Sequence, residues 1–181
     1  MTRTIFYTAA TLDGYLADEH DSLEWLFVQD IDADGPNSHG AFMAGVGAMV
    51  MGRTTYDWLR VHLQRTGESW PYAVPAWVLS HATLPDIDGA DLRWAQGDVA
   101  DVHSALVEAA GGKDVWVVGG GDLAAQFADA GLLDQIVISI AGVTLGAGRP
   151  LFPRRFALEL TDVARNRSFV CATYAVKGPL E

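Results

Sequence analysis

The sequence predicts an α/β domain built on a mixed sheet with helices on both faces. Three observations carry that reading. Short apolar runs alternate with stretches of helical periodicity, two strand-to-helix junctions carry glycine, and the chain closes with alternating segments that suit an antiparallel hairpin. Its 181 residues favour one domain over positions 1–181, long enough to bury a core without disulfide or metal staples. Half of the residues are apolar and about a fifth are charged, which excludes disorder as the main state.

Ile5 to Ala10 is an apolar run between polar flanks, a buried first strand closed by Asp13-Gly14, whose glycine can take the positive φ of a tight turn. The acidic stretch from Glu19 to Asn37 reads as a loop carrying one short helix over the apolar Leu23 to Val28. Ser38 is placed to cap a short helix through Val46. Ala48 to Met51 is a second buried strand, which Gly52-Arg53-Thr54-Thr55 turns into a helix running to about Leu63. Pro71 and Pro75 bracket a loop, followed by short strands at Ala76 to Leu79 and Leu92 to Ala95.

Between Asp98 and Ala110, Val99, Val102, Leu106 and Ala109 or Ala110 recur at helical spacing, with Asp98 as N-cap and Gly111 as the stop. Val115 to Val118 is a continuous apolar strand; three glycines follow, and Leu123, Ala124, Phe127 and Ala130 mark a helix ended by Gly131. Ile136, Ile138 and Ile140 open a long strand leading to the loop Leu145 to Pro150. Ala157 to Val163 and Ser168 to Val176 form the hairpin around Ala164 to Arg167.

Lys and Arg number 12 against 23 Asp and Glu, a net charge of −11 that repels phosphate backbones and anionic lipid. Neither nucleic acid nor a membrane is therefore an expected partner. With Cys171 alone, no intrachain disulfide and no cysteine-based zinc site can form. No apolar run approaches the roughly 18 residues of a spanning helix, and the first residues lead straight into a strand, so the chain reads as cytoplasmic. The five histidines show no H-E-x-x-H pairing, so no metal is assigned, and no G-x-S-x-G elbow supports hydrolase chemistry.

Val115-Trp-Val-Val-Gly-Gly-Gly-Asp-Leu-Ala-Ala-Gln-Phe is the most informative string. Glycines after a buried strand let backbone approach a ligand, and the helix start that follows offers free N–H groups and a positive dipole end to a phosphate. A tight turn needing small residues explains the same string. Gly119 to Ala124 also satisfies the loose G-x-G-x-x-A dinucleotide pattern, but a Rossmann fold places it in the first βα turn with an acid about 20 residues on, and position 141 is Ala. Met51-Gly-Arg-Thr-Thr-Tyr repeats the logic at an earlier junction, where Arg53 presents a planar fork of donors and two hydroxyls adjoin it. An N-cap threonine beside a solvated arginine is the alternative there.

The order of the strings carries more than any one of them. Ala9-Ala10-Thr11-Leu12-Asp13-Gly14-Tyr15-Leu16-Ala17, then Met51-Gly-Arg-Thr-Thr-Tyr, Val78-Leu79-Ser80, Val117-Val-Gly-Gly-Gly-Asp-Leu and Val143 to Phe152 together resemble the dihydrofolate reductase superfamily. The closer likeness is to its bacterial branch, the RibD C-terminal-domain-like reductases. The resemblance implies a mixed, mainly parallel sheet of dihydrofolate-reductase type that binds NADPH across the carboxyl ends of its central strands. It implies that Gly52, Arg53, Thr54 and Thr55 hold cofactor phosphates, and that Ser80 meets the adenosine-ribose 2′-phosphate. Gly120, Gly121, Asp122 and Leu123 would meet the pyrophosphate and nicotinamide half, and Ala9 and Ala10 the nicotinamide carboxamide. Where relatives carry an arginine after that serine, this chain has His81, whose neutral imidazole attracts phosphate less.

Dihydrofolate reductases carry an acid on the helix after the first strand; Ser22-Leu-Glu-Trp-Leu offers Glu24 without a clear matching register, which argues against folate itself. The expected activity is NADPH-dependent reduction of a small, flat, pteridine- or pyrimidine-like molecule. Asp13 is the candidate catalytic group, against the alternative that its carboxylate only stabilises the Asp-Gly turn. Glu24, Trp25, Tyr56 and Ser139 are the candidates on the substrate side. A homodimer is expected, because that branch is usually dimeric and a chain with six tryptophans can spare apolar surface. The competing function is a non-catalytic nucleotide-binding or sensory domain that keeps the cleft without turnover.

Overall fold

The computed structural model describes residues 1–82 and 84–180. In chain order the elements are β1 (Thr4–Thr11), β2 (Tyr15–Ala17), α1 (Glu24–Phe27), α2 (His39–Ala44), β3 (Val46–Gly52), α3 (Arg53–Thr66), β4 (Ala76–Leu79) and β5 (Leu92–Ala95). They continue with α4 (Val99–Ala110), β6 (Asp114–Gly119), α5 (Gly121–Asp129), β7 (Gln135–Ala141), β8 (Arg149–Pro150), β9 (Phe156–Asn166) and β10 (Phe169–Pro179). Eight strands form one sheet in the order β5-β4-β3-β6-β1-β7-β10-β9, and β2 pairs with β8 in a small second sheet. Every neighbouring pair from β5 to β7 is parallel; β7-β10 and β10-β9 are antiparallel. This is the expected mixed, mainly parallel sheet with a C-terminal antiparallel pair.

Strand alternation sends successive side chains to opposite faces, and each face is covered by different helices. Phe6, Val50, Val115 and Val117 pack with Leu106 of α4 and Phe127 of α5 on one face. Met49, Met51 and Trp116 pack with Tyr56 and Leu63 of α3 on the other, where Phe42 and Met43 of α2 also lie. Burying each such side chain stabilises the fold by roughly 1.5 to 3 kcal/mol. The helix over Val99–Ala110 ends at Gly111 in the left-handed conformation (φ 60°), as its spacing predicts, whereas Asp98 holds the N-cap position without a side-chain cap hydrogen bond.

Several features differ from expectation, α3 among them, which runs on to Thr66. The helix opened by Ser38 ends at Ala44, because Val46 is drawn into β3, where it is 1% exposed. The hairpin turn is tighter than Ala164 to Arg167: Asn166 already pairs with Phe169, and Arg167 takes a positive φ of 47°. The pair β2 and β8 is unexpected, since strands of three and two residues are too short to show a period.

Candidate active site

Topology creates the cleft. After β3 the chain steps outward through α3 to β4, whereas after β6 it crosses through α5 toward β7, and these two helices lie on opposite faces of the sheet. β3 and β6 are neighbours, with Met51 opposite Gly119, so their carboxyl ends open a crevice at a switch point of the strand order. A cavity of about 1130 Å³ lies there, ample for a dinucleotide and a small substrate on the scale of ordinary ligand pockets, roughly 300 to 1,000 Å³.

Both junctions expected to hold a ligand face this one cleft. Gly52, Arg53, Thr54 and Thr55 line it from the start of α3, and Gly120, Gly121, Asp122 and Leu123 from the start of α5. Each helix has glycine at its N-cap position and no side-chain cap, leaving first-turn N–H groups without a capping acceptor. The Arg53 guanidinium forms no hydrogen bond or ion pair among the described residues. Asp122, by contrast, is held by Arg154 (3.1 Å) and Gln126 (2.8 Å), which turns part of its charge away from an anionic ligand.

The glycines divide by role. Gly119, at φ 144°, adopts backbone that side chains disfavour, and its peptide to Gly120 is cis. A Cβ on Gly120 would meet nothing within 4 Å, so this position is left open on the cleft. A Cβ on Gly121 would lie 2.2 Å from the Leu151 carbonyl oxygen and 2.4 Å from that of Pro150, so Gly121 lets the loop after β8 pack on α5. Ser80 also lines the cleft, where its hydroxyl donates to the Ala82 carbonyl and accepts from the Ala82 N–H at 3.1 Å. His81 and Gln96 line the same end.

On β1 alternation separates two residues expected together. Ala9 faces the cleft beside Ser139 of β7, its cross-strand partner, whereas Ala10 is fully buried in the core on the α4–α5 face. The remaining expected residues lie elsewhere. Tyr56 is 0% exposed and its hydroxyl donates to the Pro85 carbonyl at 2.7 Å, because its position on α3 shares the buried face with Leu63. Trp25 packs with Ala141, Phe169 and Cys171, its indole N–H donating to the Leu16 carbonyl at 3.2 Å. Glu24 borders a small hollow with His20, His62 and Arg65, which adjoins the cleft along Asp21, Leu23, Phe27 and Trp58.

Asp13 is turned away from the cleft. Its carboxylate accepts from the Thr11 hydroxyl (2.6 Å) and from the N–H groups of Leu145 (3.0 Å) and Gly146 (2.7 Å). The Thr11 hydroxyl first, and those backbone N–H groups, hold its pKa below the usual carboxylate value. The turn reading of Asp13 is the one its geometry supports: it ties the end of β1 to the loop after β7.

The cleft also has an aromatic end made of residues that the sequence reading passed over. Tyr7, His39, Tyr72 and Trp116 line it, with Asn37 among them. Tyr7 stacks on Phe42 at 4.0 Å between ring centroids and donates its hydroxyl to the Asn37 carbonyl at 2.8 Å; burial pushes its pKa up to about 12. The Trp116 indole donates to the Tyr7 carbonyl (3.1 Å), and the Asn37 amide to the Ile138 carbonyl (3.2 Å). Tyr7 lies two residues before Ala9 and so on the same face of β1, a signal legible from alternation alone. Asn37 and Tyr72 come from connecting segments whose pattern announces nothing, and His39 opens α2 without a motif that marks it.

An open α/β sheet with a ligand crevice at its switch point defines the class. The family model described as "RibD C-terminal domain" matches residues 72–168, over half of the chain, and the chain belongs to that family. It is similar to the uncharacterized protein YwjB of Bacillus subtilis (strain 168), at 27% identity with 91% of this chain and 88% of the relative covered. Among solved structures it resembles a Shewanella sp. PV-4 protein provisionally assigned to riboflavin biosynthesis, at TM-score 0.81 and 27% identity, covering 97% and 99% of the two chains. Dihydrofolate reductase of Enterococcus faecalis, solved in complex with NADP(H), shares the fold at TM-score 0.57 and 13% identity over 96% of each chain. Its family is thus that of the RibD C-terminal domain, and its fold is shared with that reductase. No helix among the described residues is long and apolar enough to cross a membrane.

Proposed function

We propose that this protein, acting as a single domain, is an NADPH-dependent reductase of a small planar heterocycle of pteridine or pyrimidine type. One observation carries the reading: two uncapped helix N-termini, one with an arginine unpaired among the described residues and one with an open glycine, meet at the carboxyl ends of adjacent strands and face a single cleft. That arrangement suits a pyrophosphate-linked dinucleotide, whose negative charge is otherwise disfavoured by a chain of net charge −11. Bound NADPH would supply hydride; the protein would bind it, orient it and shield it from water.

In this reading the Arg53 fork and the N–H groups of α3 and α5 hold phosphate oxygens, with the Thr54 and Thr55 hydroxyls beside them. Ser80 and His81 lie at one end of the cleft, for the adenosine-ribose phosphate, and Ala9 and Ser139 flank the nicotinamide. The aromatic end beyond them suits a flat substrate. The test is NADPH oxidation followed at 340 nm against a panel of planar heterocycles, expected to show turnover with at least one and none after Gly120→Val. A non-catalytic nucleotide-binding domain is the second reading, favoured by the engagement of Asp13 in its turn. Tight NADPH binding with no turnover across the panel would select it.

The same reading includes a homodimer. Leu158, Leu160, Val163 and Val170 are 40%, 52%, 59% and 51% exposed. Their pairing through Val176, Tyr174 and Ala172 puts them on one face of β9–β10, outside the cover of α5. A second copy seated there would remove that apolar strip from water.

A further inference from the structure

We propose that His39 is the residue that protonates the substrate, an assignment that rests on the reductase reading above. The aromatic end of the cleft presents few polar side chains, and most are already engaged. The Tyr7 hydroxyl is given to the Asn37 carbonyl, the Asn37 amide to Ile138, and the Ser139 hydroxyl lies against the Cys171 thiol at 3.7 Å. His39 differs. Its ring sits 6.2 Å from those of Tyr7 and Tyr72 and 5.7 Å from that of Trp116, yet the residue is exposed and lines the cleft. Neither ring nitrogen has a hydrogen-bond partner among the described residues.

The segment carrying His39 is fixed to the sheet by the Asn37 bonds to β1 and β7, so the imidazole is held by the same strands that present Ala9 and Ser139. The titratable groups packed on it are the phenols of Tyr7 and Tyr72; Trp116 of β6 and Phe42 of its own helix do not titrate. Partial desolvation of the ring among its aromatic neighbours, with no charged neighbour among the described residues, lowers its pKa from the usual 6.5. It is thus a stronger acid than free imidazole when protonated.

In the step assigned to it, the electrophilic carbon of a C=N bond accepts hydride from NADPH as reductant. The new C–H bond forms, the π pair moves to nitrogen, and that nitrogen takes the proton from His39, which regains one from water. The reduced ring and NADP⁺ are the products. Protonated imidazole is required, so the rate falls as pH rises through the His39 pKa.

The test uses NADP⁺-saturated wild-type, His39→Gln and His39→Phe proteins, with 7,8-dihydropterin and 5-aminouracil as probes read by tryptophan fluorescence. Phenylalanine keeps the ring packing and removes the proton. All three proteins should bind NADP⁺ alike. At least one probe should bind the wild type, more tightly as pH falls through the His39 pKa, and both variants should lose about tenfold in affinity together with the pH dependence. Reduction of the 7,8-dihydropterin C=N by NADPH should slow by roughly 10² or more in both variants. Failure of both probes to bind the wild type overturns the assignment, as does a His39→Phe protein that matches wild type. Failure of the wild type to bind NADP⁺ overturns the reductase reading itself.

Discussion

Replacing Gly120 and Gly121 one at a time separates ligand approach from packing. A valine at Gly120 enters open space on the cleft, so the protein should fold with unchanged circular dichroism while NADPH affinity falls at least about tenfold. An alanine at Gly121 already collides with the carbonyls of Pro150 and Leu151, so it should lower stability by about 1 to 3 kcal/mol in chemical denaturation. Asp13 is a further residue-scale case. Because its folded pKa lies below its ordinary 3.8, its contribution to stability is present above that value and lost as pH falls through the depressed folded value. Asp13→Ala should therefore lower the melting temperature at pH 7, with the difference from wild type vanishing in acid. NADPH affinity should stay within about twofold, below roughly 0.5 kcal/mol.

At the scale of elements, the exposed strip of β9–β10 makes the dimer testable. Sedimentation should show a species of twice 19.4 kDa, and Leu160→Lys with Val163→Lys should convert it to the 19.4 kDa monomer without loss of secondary structure. A wild-type protein that sediments only as monomer at micromolar concentration would contradict it. These strands are legible in the sequence because alternation persists over many residues, and α4 because its apolar spacing and terminal glycine agree. Short elements such as β8 are not, since pairing between distant segments, here Tyr15 with Pro150, creates them. The start of β3 is misjudged for a related reason: burial in the sheet overrides the local helical pattern that runs through Ala44.

At the scale of the whole molecule, the phosphate side and the substrate side of the cleft differ in legibility for a physical reason. Residues at the ends of β3 and β6 lie in contiguous strings, where glycine, arginine and hydroxyls at a junction have a local meaning. The aromatic end is assembled from Tyr7, His39, Tyr72 and Trp116, four separate segments brought together only by strand order. Tyr56 and Trp25 are sequence neighbours of the site but point into cores, as helical spacing for Tyr56 and docking of α1 on β10 for Trp25 require.

The most direct measurement is a fluorescence titration of NADPH into wild-type and Arg53→Ala proteins whose circular dichroism is the same. A charge-assisted contact to phosphate is worth about 1.5 to 3 kcal/mol, so the wild type should bind saturably and the variant roughly ten- to a hundredfold more weakly. A wild type with no NADPH affinity, or an Arg53→Ala protein that binds it equally well, would contradict the account.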